Sequence, residues 1–497
     1  MSEFMMRFNP VSNLRCALVL VMGLLLGGYA TVPAHAAGPY FATGIKIGEV
    51  TDQNAIIWTR LTKHAERNAA DGPLVEIVYD QPEGKGSGRR TRAVEKIVFP
   101  DGCTVNDLRE GAPGVDGDVR VLWKAAGDSE WQETDWQAVD PLRDFTRQFA
   151  LSPLRPATSY ELRVESRGVD GKPGAVEEGH FRTAQVASDP QRVVFVAATC
   201  FGNDDQDSPE GFNIYRAISA LDPNFFVHTG DIIYYDELAK TVDLARWHWQ
   251  RMYSWPSNVA FHRGIASYFM KDDHDTWYND CWPTLQSRFM GDFTFRQGQA
   301  VFREQVPIGE LPYRTFRWGR DLQIWLVEGR DFRSPNNQPD GPEKTIWGEE
   351  QKRWFEKSVE ASDATFRVLI SPTPLVGPDR NAKNDNLANH GFEHEGGQLR
   401  DFVAAHKMLT ICGDRHWQFM SVDPRTKARE YSSGPGSDPH AGGWDEKDYR
   451  PEIHRFLRVA GGFLSMTVER IENKPTLTAR FHDVEGRVKF TDVVPAP

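Results

Sequence analysis

The 497-residue sequence predicts a layered α/β domain of α+β character, its sheets flanked by helices, preceded by an all-β sandwich. Three observations carry that reading. Up to about residue 183 the chain runs in short alternating segments separated by turn residues. From Val193 onward, near-continuous apolar runs alternate with helical stretches. Three acidic or histidine-bearing motifs stand at or just after apolar runs in this second part.

The first 36 residues stand apart. Arg7 and Arg15 come before or at the edge of an apolar run over 16–28, and Ala34-His35-Ala36 supplies small residues at a cleavage spacing. This is the pattern of a secretory signal peptide over 1–36. The run is shorter than the roughly 20 apolar residues that span a membrane, and no later stretch qualifies. The mature chain is therefore expected to have no transmembrane segment and to be secreted or periplasmic. No Arg-Arg pair precedes the run, which points to general secretion rather than twin-arginine export. Cys16 opens the run instead of marking a cleavage point, which argues against a lipoprotein.

Residues 38–186 read as the sandwich. Alternating segments at 55–59, 74–79 and 118–123 suit half-buried strands. Tyr160 opens a strand just after a corner containing Pro156, the tyrosine-corner arrangement of immunoglobulin-like and fibronectin-like sandwiches. A polar linker with Pro190 follows, and residues 191–497 read as the catalytic domain. Its strands are expected at 193–199, 225–229, 322–327, 366–371 and 408–412, all apolar enough for a sheet covered on both faces. Helices are expected at 211–220, 239–253, 295–305, 347–361 and 396–405. Two antiparallel strands at 462–468 and 476–482 close the domain.

A formal charge of −12 argues against nucleic acid as the main partner, because phosphate-backbone binders present basic surfaces. A small anionic substrate stays open where a metal cluster sets the local potential. Without the leader, Cys103, Cys200, Cys281 and Cys412 remain. Sequence alone does not pair them, and if Cys200 binds a metal at most one disulfide can form.

In open α/β sheets ligands gather beyond the carboxyl ends of the strands, where Cys200, Asp231 and Asp414 all fall. A Gly-Asp dipeptide alone is usually a turn; three strands delivering a donor to one edge point to a binuclear metal site. In Gly230-Asp231-Ile232-Ile233-Tyr234 the carboxylate can bridge two cations and the phenol can turn toward the same centre. Asp272-Asp273-His274-Asp275 packs carboxylates around an imidazole, a grouping that disfavours ionisation unless a cation is present. Gly413-Asp414-Arg415-His416 lets Asp414 and His416 face one site. A thiolate beside hard oxygen donors selects different metals for the two halves. His228, inside an apolar strand, reads as a core histidine.

With these motifs in order, the chain resembles the PhoD-type alkaline phosphatases and phosphodiesterases of the calcineurin-like metallophosphoesterases that carry an N-terminal fibronectin-like domain. The resemblance covers essentially the whole mature chain, including Tyr313 to Gly319 and Glu328-Gly329-Arg330. It implies a first metal held by Cys200, Asp231, Tyr234 and His416, with ferric iron favoured. It implies a second held by Asp231, Asp273, Asp414 and Asn279, with calcium favoured and magnesium or manganese as the other hard cations. It also implies His274 as the histidine assisting the leaving group, Asp275 orienting it, and Arg330 clamping phosphate. Glu328 stands where the family has Asp, and His390 lies on a loop that approaches the metals. The implied activity is secreted, metal-dependent hydrolysis of small phosphomonoesters or phosphodiesters by attack of metal-bound hydroxide. Alternatives are a phospholipase D-like phosphodiesterase, or a surface- or carbohydrate-binding protein with a secondary catalytic domain.

Overall fold

The computed structural model describes residues 38–80, 92–380 and 382–496; the expected signal peptide lies outside them. Two sheets form the centre. In the nine-stranded sheet, Val193–Ala198, Phe225–Thr229 and Ser267–Met270 pair in parallel, with the C-terminal strands Phe463–Ile471, Lys474–His482 and Val488–Pro495 added on one side. The seven-stranded sheet has a parallel centre of Leu322–Leu326, Phe366–Ser371, Leu409–Cys412 and Arg429–Ser433.

The sheets pack face to face. Phe225 lies 4.9 Å from Trp318, and Tyr268 lies 4.3 Å from Phe316, between ring centroids. The next residues along, Phe226 and Phe269, point the other way, into a cluster with Ile214, Trp249 and Phe302 of the covering helices. On the far side Trp325 and Leu369 meet Phe355 and Val403. Side chains alternate across a strand, so burying both faces needs apolar residues at every position. That is why these strands read as continuous apolar runs.

The helix Phe295–Gln305 starts at a capping box in which the Thr294 hydroxyl accepts from the Gln297 amide and the Gln297 side chain accepts from the Thr294 amide. It coincides with the predicted span. The expected strands were incomplete. A third C-terminal strand, Val488–Pro495, follows the turn at His482. Arg429–Ser433 and His454–Arg458 are strands rich in polar residues, Gln418–Val422 is a short mixed one, and none carries an apolar alternation to betray it.

The N-terminal sandwich is present but shares a sheet with the catalytic part. One of its sheets contains Asp118–Ala125, Ser159–Arg167 and Pro173–Arg182. The other, Ile45–Gly48, Ala55–Arg60 and Thr146–Leu151, continues the nine-stranded sheet, because Ile45–Gly48 pairs in parallel with Ser267–Met270 at Gly48 and Ser267. Residues 187–190 therefore mark a change of pattern along the chain, not a gap between separate sheets. Polar anchors reinforce the junction: Lys46 Nζ donates to the Gln305 carbonyl at 2.9 Å and lies over the Trp58 ring, while Trp58 Nε1 donates to the Glu304 carbonyl at 2.7 Å. The tyrosine corner closes as expected, with the Arg155 amide donating to Tyr160 Oη at 2.7 Å.

Candidate metal centre

Cys200, Asp231 and Asp414 each lie two residues beyond the end of a strand, and each has a left-handed backbone, with φ of 55°, 55° and 63°. A residue with a Cβ pays roughly 1–3 kcal/mol for that conformation. Three such residues meeting at one place mark a site where the surrounding structure enforces the geometry. Gly413 permits the approach of the two sheets: a Cβ there would lie 2.6 Å from the Thr229 carbonyl and 2.7 Å from the Pro372 carbonyl. The amide of Gly436 donates to the Cys200 carbonyl and draws the loop after Arg429–Ser433 over the same edge.

Donor atoms of Cys200, Asp231 and His416 all lie within 4.8 Å of one another, and so do those of Asp231, Asp272, Asp273 and Asp414. Asp231 belongs to both groups, and to a third with Asp273 and His274. Cys200 Sγ is 3.4 Å from Asp231 Oδ2, and Tyr234 Oη is 3.3 Å from His416 Nε2. One half thus offers sulfur, imidazole and phenol, and the other offers carboxylates alone.

Electrostatics show what this arrangement lacks. Burial, then Asp273, Asp272 and Asp275, pushes the Asp231 carboxyl well above the usual range. Burial and Asp231 raise Cys200, and burial, Cys200 and Asp231 raise Tyr234. Asp231 Oδ1 and Asp272 Oδ2 are buried and accept no hydrogen bond within the protein. Buried anionic donors in such company require cations, so the residues fit metals.

His274 packs against Tyr234 with ring centroids 4.3 Å apart and the planes tilted by 39°. Burial alone would lower its pKa, but Asp236, Asp273 and Asp231 raise it well above the ordinary imidazole value. Its orienting carboxylate is Asp236, whose Oδ2 is 2.5 Å from His274 Nδ1. Asp275, expected in that role, instead accepts from the backbone amides of Ile232 and Asp272 at 3.0 and 2.6 Å. It is fully buried and ties the two acidic loops together.

Arg330, expected as a phosphate clamp, lies against the acidic loop. Its side chain is fully buried, its Nε donates to Asp272 Oδ1, and its Nη2 lies 3.5 Å from Asp273 Oδ1. It braces the carboxylates through Nε, while Nη1 and Nη2 are buried and donate no hydrogen bond within the protein. Glu328, in place of the family's Asp, accepts from Lys271 Nζ and the Arg330 amide at 2.8 and 2.7 Å and so holds the loop beneath. Asn279 contributes its main-chain N–H to Asp236 Oδ1. His390 is exposed on the loop before the helix Glu393–Ala405, and no described contact joins it to the site. His228 is a core residue beside Phe201, kept neutral by burial. Among the described residues, Cys103, Cys200, Cys281 and Cys412 are all free and none is paired in a disulfide.

Comparison with known families decides the membership. The model of PhoD-like phosphatases matches residues 195–436, and that of the PhoD-like N-terminal domain matches residues 28–185.

The chain belongs to the PhoD-like phosphatase family.

As a PhoD-like phosphatase it is a metal-dependent phosphoric ester hydrolase. Among solved structures it is similar to that of PhoD, with a TM-score of 0.67 and 16% identity, over 93% of this chain and 90% of that one. It is also similar to the purple acid phosphatase PPD1 from yellow lupin (Lupinus luteus) seeds, with a TM-score of 0.59 and 11% identity, over 92% and 96%. At these identities the likeness speaks for the fold alone. Among curated protein sequences none matches. Among the described residues no helix is long and apolar enough to cross a membrane.

Sequence reasoning missed several residues of this PhoD-like site. Asp272, read within its motif but given no ligand role, joins the carboxylate group. Asp236 holds His274, and Arg415 sits between Asp379, at 2.8 Å, and Asp414. His440 reaches Tyr234 from the loop after Arg429–Ser433. Asp236 lies close behind the Asp231–Tyr234 motif and could have been flagged by proximity; His440 has no local signal.

Proposed function

We propose that this PhoD-like phosphatase is an exported phosphohydrolase of small phosphate esters. In this reading ferric iron is held by Cys200, Asp231, Tyr234 and His416, and calcium by Asp231, Asp273 and Asp414, with Asp272 close by. The observation that carries the reading is the sharing of buried Asp231 between a thiol–imidazole group and an all-carboxylate group. Thiolate and phenolate suit iron, whereas a cage of carboxylate oxygens suits a hard cation. When bound, the metals would acidify a water and polarise a phosphoryl oxygen.

The protein's own residues supply the rest. Asp236 Oδ2 accepts a hydrogen bond from Nδ1–H of the His274 imidazolium, which leaves its Nε2–H to donate to a departing oxygen. Positioned acid catalysis of this kind is worth about 10² to 10⁴ in rate. Burial pushes the Asp272 carboxyl up to about 7 against the pull of Arg330, while Arg330 helps hold Asp273 below the usual carboxylate range, and the guanidinium fixes both in place. The signal-peptide pattern of the sequence over 1–36 supports export.

Hydrolysis of an aryl phosphate and a bis-aryl phosphate, with and without chelator, tests the activity and separates monoesterase from diesterase. Absence of chelator-sensitive turnover of either would overturn the reading. A visible ligand-to-iron band that disappears in Cys200→Ala or Tyr234→Phe tests the iron assignment.

A further inference from the structure

Tyr234 has a second neighbour besides His416. His440 Nε2 lies 2.8 Å from Tyr234 Oη, and His440 Nδ1 lies 2.7 Å from Asp205 Oδ2. The His440 ring sits 4.3 Å from that of His416, centroid to centroid, and the Gly442 amide donates to the His416 carbonyl at 3.0 Å. Asp205 comes from the loop immediately after Cys200, where its amide donates to the Gly202 carbonyl at 3.0 Å. Two loops separated by 235 positions therefore close over one phenol.

Gly202 is built for this contact. A Cβ at that position would lie 2.3 Å from Asp205 Oδ2 and 2.8 Å from His440 Nδ1. Its omission lets the carboxylate and imidazole fit against the chain that carries Cys200. The hydrogen bond from His440 leads the influences that hold the Asp205 carboxyl below its usual range.

The direction of the hydrogen bonds follows from the groups themselves. An ionised carboxylate only accepts, so Asp205 fixes the His440 proton on Nδ1. While Tyr234 is a phenol its hydroxyl donates to Nε2; when the oxygen binds a metal as phenolate, the phenol proton passes to Nε2, which then donates back to Oη. The lone pairs of Tyr234 Oη are left facing the side where Cys200 and His416 stand. A carboxylate–imidazole pair behind a ligand is a recurring way of fixing the ligand's orientation.

We propose that His440, held by Asp205, is a positioning residue that aims the Tyr234 oxygen at the Cys200–His416 end of the metal centre. This inference rests on the metal reading above for its consequence, but its geometry is testable without metal.

In metal-free, ¹⁵N-histidine-labelled full-length protein, the His440 signals should be those of the Nδ1–H tautomer, and the Nε2 signal should shift in Tyr234→Phe. Asp205→Asn should lose the single tautomer. In iron-loaded protein, His440→Ala should weaken iron binding by about 10- to 100-fold and shift the phenolate-to-iron band, and His440→Gln should recover much of both. Gly202→Ala should reproduce the His440→Ala change. An Nε2 signal indifferent to Tyr234→Phe would overturn the proposal, and so would a His440→Ala protein with wild-type unfolding, iron affinity and band. If the nitrogen shifts appear but the wild-type protein takes no iron, the iron assignment fails while the brace on Tyr234 stands.

Discussion

Arg330 Nε donates to Asp272 Oδ1 at 2.5 Å, and neither side chain is exposed to solvent. Removing one member of such a pair leaves the other charge buried without a partner, typically at a cost of about 3–5 kcal/mol. Arg330→Met should therefore lower the urea midpoint strongly, as well as activity. Arg330→Lys should recover only part of the stability, because an ammonium cannot reproduce the planar fork. Unchanged unfolding in Arg330→Met would show that the pair does not brace the site.

Asp231 is common to all three donor groups, so its replacement should act on both metals. Elemental analysis should find Asp231→Asn depleted in both, with losses beyond the about 10- to 100-fold typical of residues behind the ligands. Cys200→Ser should affect chiefly iron and Asp273→Asn chiefly the hard cation. Equal depletion of both metals by all three variants would contradict the division into halves.

The tyrosine corner predicts a stability effect far from the metals. Tyr160→Phe removes the acceptor of the Arg155 amide and should cost about 1–3 kcal/mol. Chemical denaturation would register it, while turnover per folded molecule should be unaltered.

Buried His228 and His248 are each lowered to about 3, chiefly by desolvation. Their folded pKa lies below the unfolded value near 6.5, so the unfolded state binds the extra proton first. Each contributes stability that is fully present above pH 6.5 and lost progressively as pH falls toward 3. By pH 5 the loss is about 2 kcal/mol per histidine. The difference in unfolding free energy between pH 7.5 and pH 5 should therefore shrink by about that much in His228→Phe, read against wild type under identical metal-free conditions.

Much of this architecture was legible wherever a single local rule dominated. Phe225–Thr229 and Phe366–Ser371 are sheet strands covered on both faces, and their unbroken apolar sequence says so. Phe295–Gln305 announces its start through Thr294 and Gln297. Arg429–Ser433 was opaque because its buried polar groups are satisfied at long range. Glu430, for instance, accepts from the amides of Leu375, Val376 and Gly377. The metal-facing donors at strand ends could be found from the motifs, whereas His440 and Asp205 meet only after both sheets and their loops are in place. Asp275 misled because adjacency to His274 in sequence says little about which carboxylate its ring will reach.

The parallel pairing of Gly48 with Ser267 has a consequence for the order in which the molecule can be assembled. A strand from the beginning of the chain has as its neighbour one that lies beyond the midpoint of the sequence. Until that partner is available, the early strands have no place to dock along one edge, and closing so long a loop slows productive collapse. Deleting residues 38–186 would not simply trim an appendage; it would leave the Ser267–Met270 edge unsatisfied and invite association between copies. The catalytic half is thus timed by its own front end: the site is complete only after the first strands have found the sixth of their sheet.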